Sequence, residues 1–449
     1  MIKLSEKDIG NLIEVTKKKG NQDVVYKGYL IEFTDSFLKL KLFDIGYNIG
    51  INIDSLTTIA RLDEKIVLGK PPSLDIKSNP SLPTITYIGT GGTIGTHVDY
   101  VTGGVYMCRT PQEILATTPE LANIVNIKKI ESPIIKPSED LGFLDWKIIS
   151  EKVYDSLVDD SINGIIITHG TDFLAYTGTA LSFMIENVNK PVLLVGAQRS
   201  PDMASFDGAL NLICAAQFVK EKIPGVFLVM HGSINDDYCY VLNATKAKKF
   251  HTSRRDTFQP VNDVPIARVY SDGKIEYIKN KELLQMLPKN KPILKNEISD
   301  KVGILKVYPD SDPSIIDWYI EKKYKGLIIE GTGLGHVPTK YDREKNCFLE
   351  KSWIPFLKKA NDNGIILIMC SQSIFGRVNN LVYANLRFAS EAGVEYLDQH
   401  DMLPETAYIK LSIALSRFSE KDDILNYMKS NVSGEISNKE TPESFNFVF

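Results

Sequence analysis

The chain has 449 residues, of which 43% are hydrophobic and 24% charged, a composition that is ordinary for a globular protein of two or three domains. A formal net charge of −4 gives no overall attraction to nucleic acid, so any RNA contact must come from a local patch or a partner. The first residues lack a signal peptide, and no apolar run approaches the roughly 18 residues of a membrane span, so a soluble cytoplasmic protein is expected.

The cysteines and histidines argue against a metal site. The cysteines are odd in number, scattered and free of Cys-x-x-Cys spacing, which is typical of reduced thiols. His169 and His336 belong to separate glycine turns without ligand spacing, so no metal is expected. The cysteines are Cys108, Cys214, Cys239, Cys347 and Cys370.

Residues 1–75 contain five short strand-like segments separated by turn residues, a pattern that predicts a small β-barrel. This stretch carries 11 Lys and Arg against 11 Asp and Glu. Because that balance does not favour a direct electrostatic grip on RNA, the module is predicted to serve interaction or structure. The predicted strands are 11–16, 24–33, 37–42, 47–53 and 56–62.

Residues 69–83 carry four prolines and are typical of an extended linker, so a domain boundary is predicted there. From residue 84 onward, continuous apolar runs alternate with segments of helical spacing. Such runs are buried on both faces, as in parallel sheets covered by helices, and the predicted fold class is therefore α/β with parallel sheets. The predicted strands here are 84–88, 164–168, 191–196 and 225–231, and the predicted helices 179–187 and 207–220.

A lysine-rich stretch, 279–301, divides this α/β body. The predicted domains are a larger one over 76–295, which carries the candidate site, and a smaller C-terminal one over 296–430. The polar tail, 431–449, either is loose or packs on a neighbour. The strands predicted in the smaller domain are 302–307, 326–330 and 364–370.

A glycine-rich turn follows the first of the buried strands: residues 84–95 read Thr-Ile-Thr-Tyr-Ile-Gly-Thr-Gly-Gly-Thr-Ile-Gly. Gly91 and Gly92 let the backbone approach a substrate, which leaves Thr90 and Thr93 as candidate hydroxyls. A threonine nucleophile needs a nearby base and N–H groups aimed at the developing oxyanion. A dinucleotide or phosphate loop is excluded, because Ile94 replaces the third glycine and no Gly-Lys-Ser/Thr follows.

Residues 164–173, Gly-Ile-Ile-Ile-Thr-His-Gly-Thr-Asp-Phe, repeat this layout of strand, glycine and threonine. Together Thr-Gly-Gly-Thr-Ile and Thr-His-Gly-Thr-Asp resemble the paired active-site motifs of the L-asparaginases of bacterial type. That resemblance implies that Thr93 is the first nucleophile, with Tyr100 assisting it and Tyr106 as a weaker alternative. Thr90 then becomes a turn residue.

The resemblance also implies a second catalytic group, formed by Thr171, Asp172 and a lysine. Lys246, in Asn-Ala-Thr-Lys-Ala, matches that lysine. A partly desolvated lysine can have its pKa lowered enough to accept a hydroxyl proton, and an adjacent carboxylate can orient it. A surface basic run is the alternative, because Lys248 and Lys249 stand close by.

Ser138, Glu139 and Asp140 match the segment that receives the amino acid's own carboxylate and ammonium in that family, and Gly92 completes the expected substrate contacts. The Ser138 hydroxyl suits a carboxylate, while Glu139 and Asp172 suit an ammonium. Glu139 stands where the bacterial enzymes commonly carry Gln, which leaves open whether glutamine or asparagine is preferred. Read alone, Ser-Glu-Asp is more typical of a helix cap.

Further segments are similar in detail to the D subunits of the archaeal-type glutamyl-tRNA(Gln) amidotransferase, which are asparaginase-like proteins with an added N-terminal domain. Arg254 and Arg255 depart from the bacterial pattern and agree with those proteins, while 196–200 and 205–212 match the scaffold of the asparaginase site. The agreeing segments are 251–258 (His-Thr-Ser-Arg-Arg-Asp-Thr-Phe), 330–338, 375–378 and 401–408.

This resemblance implies that the chain hydrolyses a side-chain amide through an ester at Thr93 and supplies ammonia to an E subunit. That partner is expected to hold ATP and Mg²⁺ and to amidate Glu-tRNA(Gln), so this chain binds no cofactor of its own and meets tRNA through the complex. The asparaginase-like body is expected to pair as a homodimer within the larger assembly. The absence of a phosphate loop agrees with this division of labour.

Two other functions compete with this one. A free-standing L-asparaginase would need neither the N-terminal module nor the 251–258 segment. A catalytically silent scaffold that only positions tRNA would not need the threonine, aspartate and lysine set.

Overall fold

The structure is a computed structural model that describes residues 4–20, 22–43, 48–65, 79–92, 94, 96–99, 104–107, 118–199, 201 and 205–446. The chain divides into two compact units. The first contains Met1–Ile76, Gly95–Pro119 and Ser200–Ala204, and the second contains Lys77–Ile94, Glu120–Arg199 and Ser205–Phe449. No helix in the described part of the chain is long and apolar enough to cross a membrane.

The N-terminal sheet of the first unit has five antiparallel strands in the order β4-β3-β2-β1-β5. All five predicted strands are present, with ends that shift by no more than three residues. Apolar residues at every second position of β1 and β3, among them Ile13, Val15, Leu38 and Leu40, fill the core of this sheet. The strands are β1 Asn11–Lys19, β2 Gln22–Phe33, β3 Phe37–Leu42, β4 Asn48–Asn52 and β5 Leu56–Lys65.

The predicted barrel is wrong, because the sheet does not close. Strand β4 pairs with β3, where Ile51 lies opposite Leu38, and β5 pairs with β1, where Ile59 lies opposite Val15. Within the described residues no ladder joins β4 to β5, so they remain the two edges. Alternation of apolar residues predicts which face of a strand is buried, whereas closure depends on strand tilt and stagger, which alternation does not encode.

The large sheet of the second unit has the strand order β18-β17-β14-β13-β12-β10-β6-β9. The first unit also contains a hairpin, β7 and β8. The strands in this part of the chain are β6 Thr84–Gly89, β7 Thr96–Asp99, β8 Gly104–Met107, β9 Asn126–Glu131, β10 Gly164–Thr168, β11 Ile185–Glu186, β12 Pro191–Val195, β13 Gly225–His231, β14 Tyr238–Asn243, β15 Ala247–Lys249, β16 Phe258–Pro260, β17 Ala267–Tyr270, β18 Ile275–Tyr277 and β19 Ile293–Leu294. The helices are α1 Phe143–Val158, α2 Leu174–Met184, α3 Gly208–Val219 and α4 Lys281–Leu284.

This sheet is mixed, which corrects the prediction of parallel sheets throughout. Strands β9, β6, β10, β12 and β13 are mutually parallel, and they include every strand predicted for this domain. From β13 onward, β14, β17 and β18 pair antiparallel. The physical reason is the short loop between β13 and β14, which is long enough for a hairpin but too short for the crossover that a parallel neighbour needs.

The C-terminal sheet is parallel throughout, in the order β20-β21-β24-β25. Helix α8 joins it to the large sheet, because Ile409 and Ile413 pack into the core of the large sheet while Ala407 and Leu411 pack into that of the C-terminal sheet. The strands are β20 Val302–Lys306, β21 Gly326–Gly331, β22 Tyr341–Asp342, β23 Cys347–Phe348, β24 Ile366–Ser371 and β25 Val394–Glu395. The helices are α5 Ile315–Glu321, α6 Trp353–Asp362, α7 Ala384–Glu391, α8 Pro404–Arg417, α9 Lys421–Lys429 and α10 Pro442–Asn446.

The described part of the polar tail packs within the chain. Lys410 Nζ donates to Glu435 Oε1 at 2.6 Å, and both side chains are fully buried. The Glu435 carboxylate also accepts the N–H groups of Val432 and Ser433, at 3.0 and 2.7 Å. A buried ion pair is tolerated only when its remaining hydrogen-bonding capacity is met, and here the start of the tail meets it.

We predict that Glu435→Gln destabilises the protein strongly, because it leaves the Lys410 ammonium buried without a counter-charge. Losing one partner of a buried pair costs on the order of 3 kcal/mol or more of unfolding free energy. Urea unfolding followed by circular dichroism measures the loss. The matched control is Glu276→Gln, which breaks an exposed pair with Lys274 and should leave the midpoint nearly unchanged. Equal midpoints for the two variants would contradict the prediction.

Candidate active site

The two threonine-bearing loops leave the same edge of the large sheet. Strands β6 and β10 are adjacent and parallel, with Gly89 opposite Thr168, so the chain segments that follow them start side by side. The N–H and the hydroxyl of Thr90 both donate to the Thr168 carbonyl oxygen, at 3.1 and 3.0 Å. Because the buried Thr90 hydroxyl holds the two loops together, it fits the turn role and not the nucleophile.

Glycine allows these loops to pack backbone against backbone. Gly92 has φ of +78°, and a Cβ atom there would lie 2.5 Å from the Gly170 nitrogen. A Cβ atom on Gly170 would in turn lie 2.7 Å from Ser138 Oγ. Gly92 and Ser138, the two expected substrate-binding residues, therefore both pack against Gly170, the residue before Thr171. Thr93, which follows Gly92 in the chain, and Tyr100 lie outside the described residues.

Lys249 occupies the centre of the second predicted group. Its Nζ donates to Thr171 Oγ1 at 2.8 Å and to Asp172 Oδ1 at 2.8 Å. Thr171 is buried, the Lys249 side chain is 17% exposed, and the Asp172 side chain is 59% exposed. The ammonium thus bridges a buried hydroxyl and a carboxylate that faces solvent, which lets it exchange a proton with the hydroxyl while remaining oriented by the carboxylate.

Lys246, the lysine predicted for this role, is placed elsewhere. Its Nζ lies 2.9 Å from Asp401 Oδ2, and the two side chains are 1% and 0% exposed. Burial lowers the pKa of Lys246, and Asp401 opposes that shift. The structure thus brings Thr171 and Asp172 together as expected, but the lysine that contacts both is Lys249 and not Lys246.

The alternation of side chains along β15 explains why Lys249, and not Lys246, meets Thr171. Successive side chains of β15 point to opposite faces of the strand. Lys248 bonds to Glu405, whereas Lys249 bonds to Thr171. Lys246 lies in the turn before the strand and points into the interior. If residues 247–249 had been predicted as a strand, Lys248 and Lys249 would have been expected on opposite faces. No pattern in the sequence, however, shows which face of so short a strand meets the loop after β10.

The remaining residues that were predicted to bind the substrate differ in how far they are buried. Ser138 is buried, and its Oγ accepts the Phe173 N–H at 3.4 Å, so it braces the loop after β10. Glu139 and Asp140 are exposed in the same short turn, Ser138–Asp140. Ser138 therefore has both a structural role and a place beside the loops, whereas the role of Glu139 remains a prediction.

His169 is a structural residue of the loop. Burial lowers its pKa to about 4, so the ring is neutral near pH 7. Its Nδ1–H donates to the Gly170 carbonyl at 2.6 Å, and its Nε2 then accepts the Thr177 hydroxyl at 2.8 Å. Thr177 in turn accepts the Trp146 indole N–H at 3.0 Å. The described part of the chain contains no group of His, Cys, Asp and Glu side chains that could hold a metal ion.

A buried chain of hydrogen bonds that sequence patterns did not reveal supports Thr171 from behind. Asn211 Nδ2 donates to the Gly196 carbonyl at 3.0 Å, and a Cβ atom on Gly196 would lie 2.8 Å from Thr171 Cγ2. Asn211 Oδ1 lies 2.6 Å from His231 Nδ1, and His231 Nε2 lies 3.0 Å from an Asp236 oxygen. The His231 ring is thus held between the Asn211 amide oxygen and the Asp236 carboxylate.

One arginine of the Arg-Arg pair in the 251–258 segment reaches this chain of hydrogen bonds from the surface. Arg255 contacts Asp236 at 3.2 Å and donates to the Ser205 carbonyl at 2.7 Å. Arg254 instead pairs with Asp256, and its side chain is 53% exposed. One arginine is thus part of the scaffold behind Thr171, and the other is a surface group.

Comparisons with known proteins relate most of this chain to asparaginases and to amidotransferase subunits. Residues 84–283 match the family described as "Asparaginase, N-terminal", and residues 301–428 match the "Glutaminase/Asparaginase C-terminal domain". The chain is 39% identical to the D subunit of the glutamyl-tRNA(Gln) amidotransferase of Pyrococcus horikoshii over 443 residues, which are 97% of this chain and 96% of that one. It is 35% identical to the protein of the same name from Methanopyrus kandleri, over 95% of this chain and 91% of that one.

The chain belongs to the family of glutamyl-tRNA(Gln) amidotransferase D subunits. Solved L-asparaginases share part of its structure. The thermostable L-asparaginase from Thermococcus kodakarensis superposes with a TM-score of 0.68 and 26% identity, covering 79% of this chain and all of the asparaginase. L-asparaginase I from Vibrio cholerae gives 0.65 and 25%, covering 80% and 100%. The amidotransferase relatives therefore extend over a part of the chain that the asparaginases do not cover.

The different placement of the two lysines predicts different effects on stability. Lys246→Met leaves the Asp401 carboxylate buried without a counter-charge, so we expect a loss on the order of 3 kcal/mol in unfolding free energy. Lys249→Met should cost much less, because Asp172 stays largely in water. Urea unfolding of the two variants beside wild type measures the difference. A Lys249→Met protein that is the less stable of the two would contradict the assignment.

Proposed function

We propose that this chain is the amide-hydrolysing component of a glutamyl-tRNA(Gln) amidotransferase. It removes the side-chain amide nitrogen of a free amino acid, and the ammonia passes to a partner E subunit that uses ATP to convert Glu-tRNA(Gln) to Gln-tRNA(Gln). The observation that carries the proposal is the Lys249 ammonium held between Thr171 and Asp172, at the sheet edge where the Thr-Gly-Gly turn ends. The relatives named as D subunits, which match nearly the whole chain, support the assignment to that complex.

In the proposed reaction the Thr93 hydroxyl attacks the amide carbon, with Tyr100 assisting removal of its proton. The carbon–nitrogen bond breaks, and the nitrogen leaves as ammonia after gaining a proton, so a threonyl ester remains. Water then attacks the ester carbon, releases the amino acid's new carboxylate and restores Thr93. Lys249, as the neutral amine, accepts a proton through the Thr171 hydroxyl and returns it from the ammonium so formed, while Asp172 orients Lys249 and accepts the substrate ammonium.

A free-standing L-asparaginase is the second candidate, because solved L-asparaginases share the α/β structure. The N-terminal sheet and the length of the match to the amidotransferase relatives favour the amidotransferase. Binding of ATP and Mg²⁺ on the partner, pairing of the asparaginase-like body as a homodimer and a cytoplasmic location complete the proposal.

Lys249→Met should lower kcat for amide hydrolysis by at least about 100-fold and change KM little, because a proton acceptor acts in the transition state and not on the bound amino acid. Initial rates of ammonia release from glutamine and from asparagine measure this effect and identify the preferred amide donor. Lys274→Met, at an exposed pair, is the matched control and should behave as wild type.

Thr93→Ala tests the nucleophile in the same assay and should lose several orders of magnitude in rate. Thr90→Ala should be milder in kcat once the loss of its turn hydrogen bond is allowed for. Near-normal ammonia release by Lys249→Met or by Thr93→Ala would contradict the role given to that residue.

A separate prediction distinguishes the amidotransferase from the free asparaginase. If ammonia is made for a partner, the isolated chain should be slow and should accelerate when the E subunit and Glu-tRNA(Gln) are both bound. A coupling of roughly 1 to 3 kcal/mol acting on the barrier corresponds to about a 5- to 150-fold rise. Ammonia release with and without the tRNA-loaded partner measures the coupling. Full-rate hydrolysis by the isolated chain, unchanged by that partner, would favour the asparaginase.

A further inference from the structure

A cleft lies at the edge of the large sheet opposite the Thr171 loop. Asn163 and Lys190, which line it, stand directly before β10 and β12, so the cleft is at the N-terminal ends of these two strands. The other ends of the same strands lead to Thr171 and Gly196. The volume of the cleft is about 630 Å³, well within the range of small-molecule sites, and it is large enough for a nucleotide. We call it the basal cleft.

Positive charge dominates the basal cleft. Four lysines from three separate segments of the chain line it: Lys190 before β12, Lys220 and Lys222 after α3, and Lys281 in α4. Only Lys281 has a carboxylate partner, Glu221, at 2.6 Å. The other three lysines form no ion pair with any residue that the structure describes. The cleft therefore has cations to offer to an anionic ligand.

These three lysines also keep hydrogen-bond donors. Lys190 Nζ donates to the backbone carbonyl oxygens of Ser156 and Asp159, at 3.1 and 2.7 Å, and Lys220 Nζ donates to Gln217 Oε1 at 2.8 Å. An ammonium group has three donors, so each of the two retains at least one. The Lys222 side chain is exposed and can turn towards a ligand at little cost. Lysine ammonium groups with free donors suit phosphate oxygens.

The basal cleft also contains acceptors, which a simple anion would leave unused. Asn189 Oδ1 is buried, yet it accepts no hydrogen bond from any residue that the structure describes. Buried polar atoms are normally bonded, so this oxygen calls for a donor from a ligand. The exposed carboxylate of Asp160 lines the same cleft and would repel a bare anion. A ligand that carries both phosphates and N–H or O–H donors satisfies both kinds of group.

An apolar surface completes the basal cleft. Ile162 and Pro191 are buried in its lining, and Leu287 lines it while remaining 64% exposed. An aromatic base that packs on Leu287 would remove apolar area from water, which is favourable. The combination of cations, an unsatisfied acceptor and an apolar surface matches the three parts of a nucleotide.

We propose that the basal cleft binds a nucleoside di- or triphosphate. The phosphates lie on Lys190, Lys220 and Lys222. The base packs on Leu287, and a ribose hydroxyl or a base amino group donates to Asn189. Because side chains hold the phosphates, this site needs no glycine-rich phosphate loop. It is separate from the candidate active site, and it goes beyond the proposed function, in which the nucleotide belongs to the partner subunit.

The test uses the full-length wild-type chain without the E subunit. In calorimetric titrations ATP and ADP should bind at least about 10-fold more tightly than adenosine or inorganic triphosphate, because each of these lacks half of the contacts. Lys220→Met combined with Lys222→Met should weaken ATP binding at least about 10-fold, since charged hydrogen bonds are lost. Asn189→Ala, which leaves the charges unchanged, should weaken ATP binding several-fold and should not affect inorganic triphosphate.

The matched control is Lys322→Met combined with Lys323→Met. These exposed lysines also follow a helix, α5, and Lys323 has φ of +57° where Lys222 has +54°, so the control makes the same change of charge in the same backbone setting. ATP binding should be unchanged in this variant. Circular dichroism shows whether each variant folds, and the lysine variants at exposed positions decide the question if Asn189→Ala does not.

Electron density for ATP in the basal cleft of a soaked crystal supports the proposal. It is overturned by no binding at millimolar ATP, by density only elsewhere, by inorganic triphosphate binding as tightly as ATP, or by equal losses in the two lysine variants. A single-stranded RNA oligonucleotide that binds at the cleft when ATP does not would assign the lysines to RNA and also overturn it. The readout is binding, so absent ammonia release by the wild-type chain would count against the proposed function alone.

Discussion

The parallel pairing of β6 with β10 is the constraint on which the site depends. Parallel neighbours bring the ends of two strands that are distant in sequence to one edge, and here they bring together two loops that each carry glycine and threonine. The Thr90 hydroxyl then fixes one loop to the other through the Thr168 carbonyl. Glycine at positions 92 and 170 removes the side chains that would hold the loops apart. The hydroxyl of Thr171 is therefore placed by backbone packing, which is more rigid than a hydrogen bond between flexible side chains.

The Thr171 side chain is also supported on the side that faces the strand after β10 in the sheet, β12. Gly196, at the end of the next strand, contacts Thr171, and its carbonyl is held by the buried Asn211 amide. Asn211 is in turn fixed by His231, whose other ring nitrogen contacts Asp236. Supporting hydrogen bonds of this kind hold the Thr171 side chain in a fixed geometry, as the side chains of a preorganised site must be held. The residues of the two loop motifs would not supply it alone.

The sequence allowed prediction of the strands that are buried on both faces, because continuous β-branched runs such as 164–168 have few alternatives. It led to the wrong prediction of a closed barrel for the N-terminal sheet, since pairing between edge strands depends on geometry over the whole sheet. The antiparallel half of the large sheet was missed. Tyr238–Asn243 is itself a continuous apolar run, buried at its four central positions, and such a run does not show whether its neighbour in the sheet is parallel or antiparallel. For the site, the motifs led to Thr171, Asp172 and Ser138. The identity of the lysine beside them depends on which way each side chain of a three-residue strand faces, and the motifs do not show that.

The different directions in which Lys246, Lys248 and Lys249 point connect the candidate site to the rest of the molecule. Three cations lie within four residues, and each has a different carboxylate partner: Lys246 pairs with Asp401, Lys248 with Glu405 and Lys249 with Asp172. The first two partners lie just before α8 and in its first turn, in the smaller domain, and only the third belongs to the loop after β10. Two lysines therefore anchor the segment to the C-terminal domain so that the third can be held at Thr171. The C-terminal sheet supplies no hydrogen bond to Thr171 among the described residues, yet these two anchors hold the strand that places the Lys249 ammonium at Thr171.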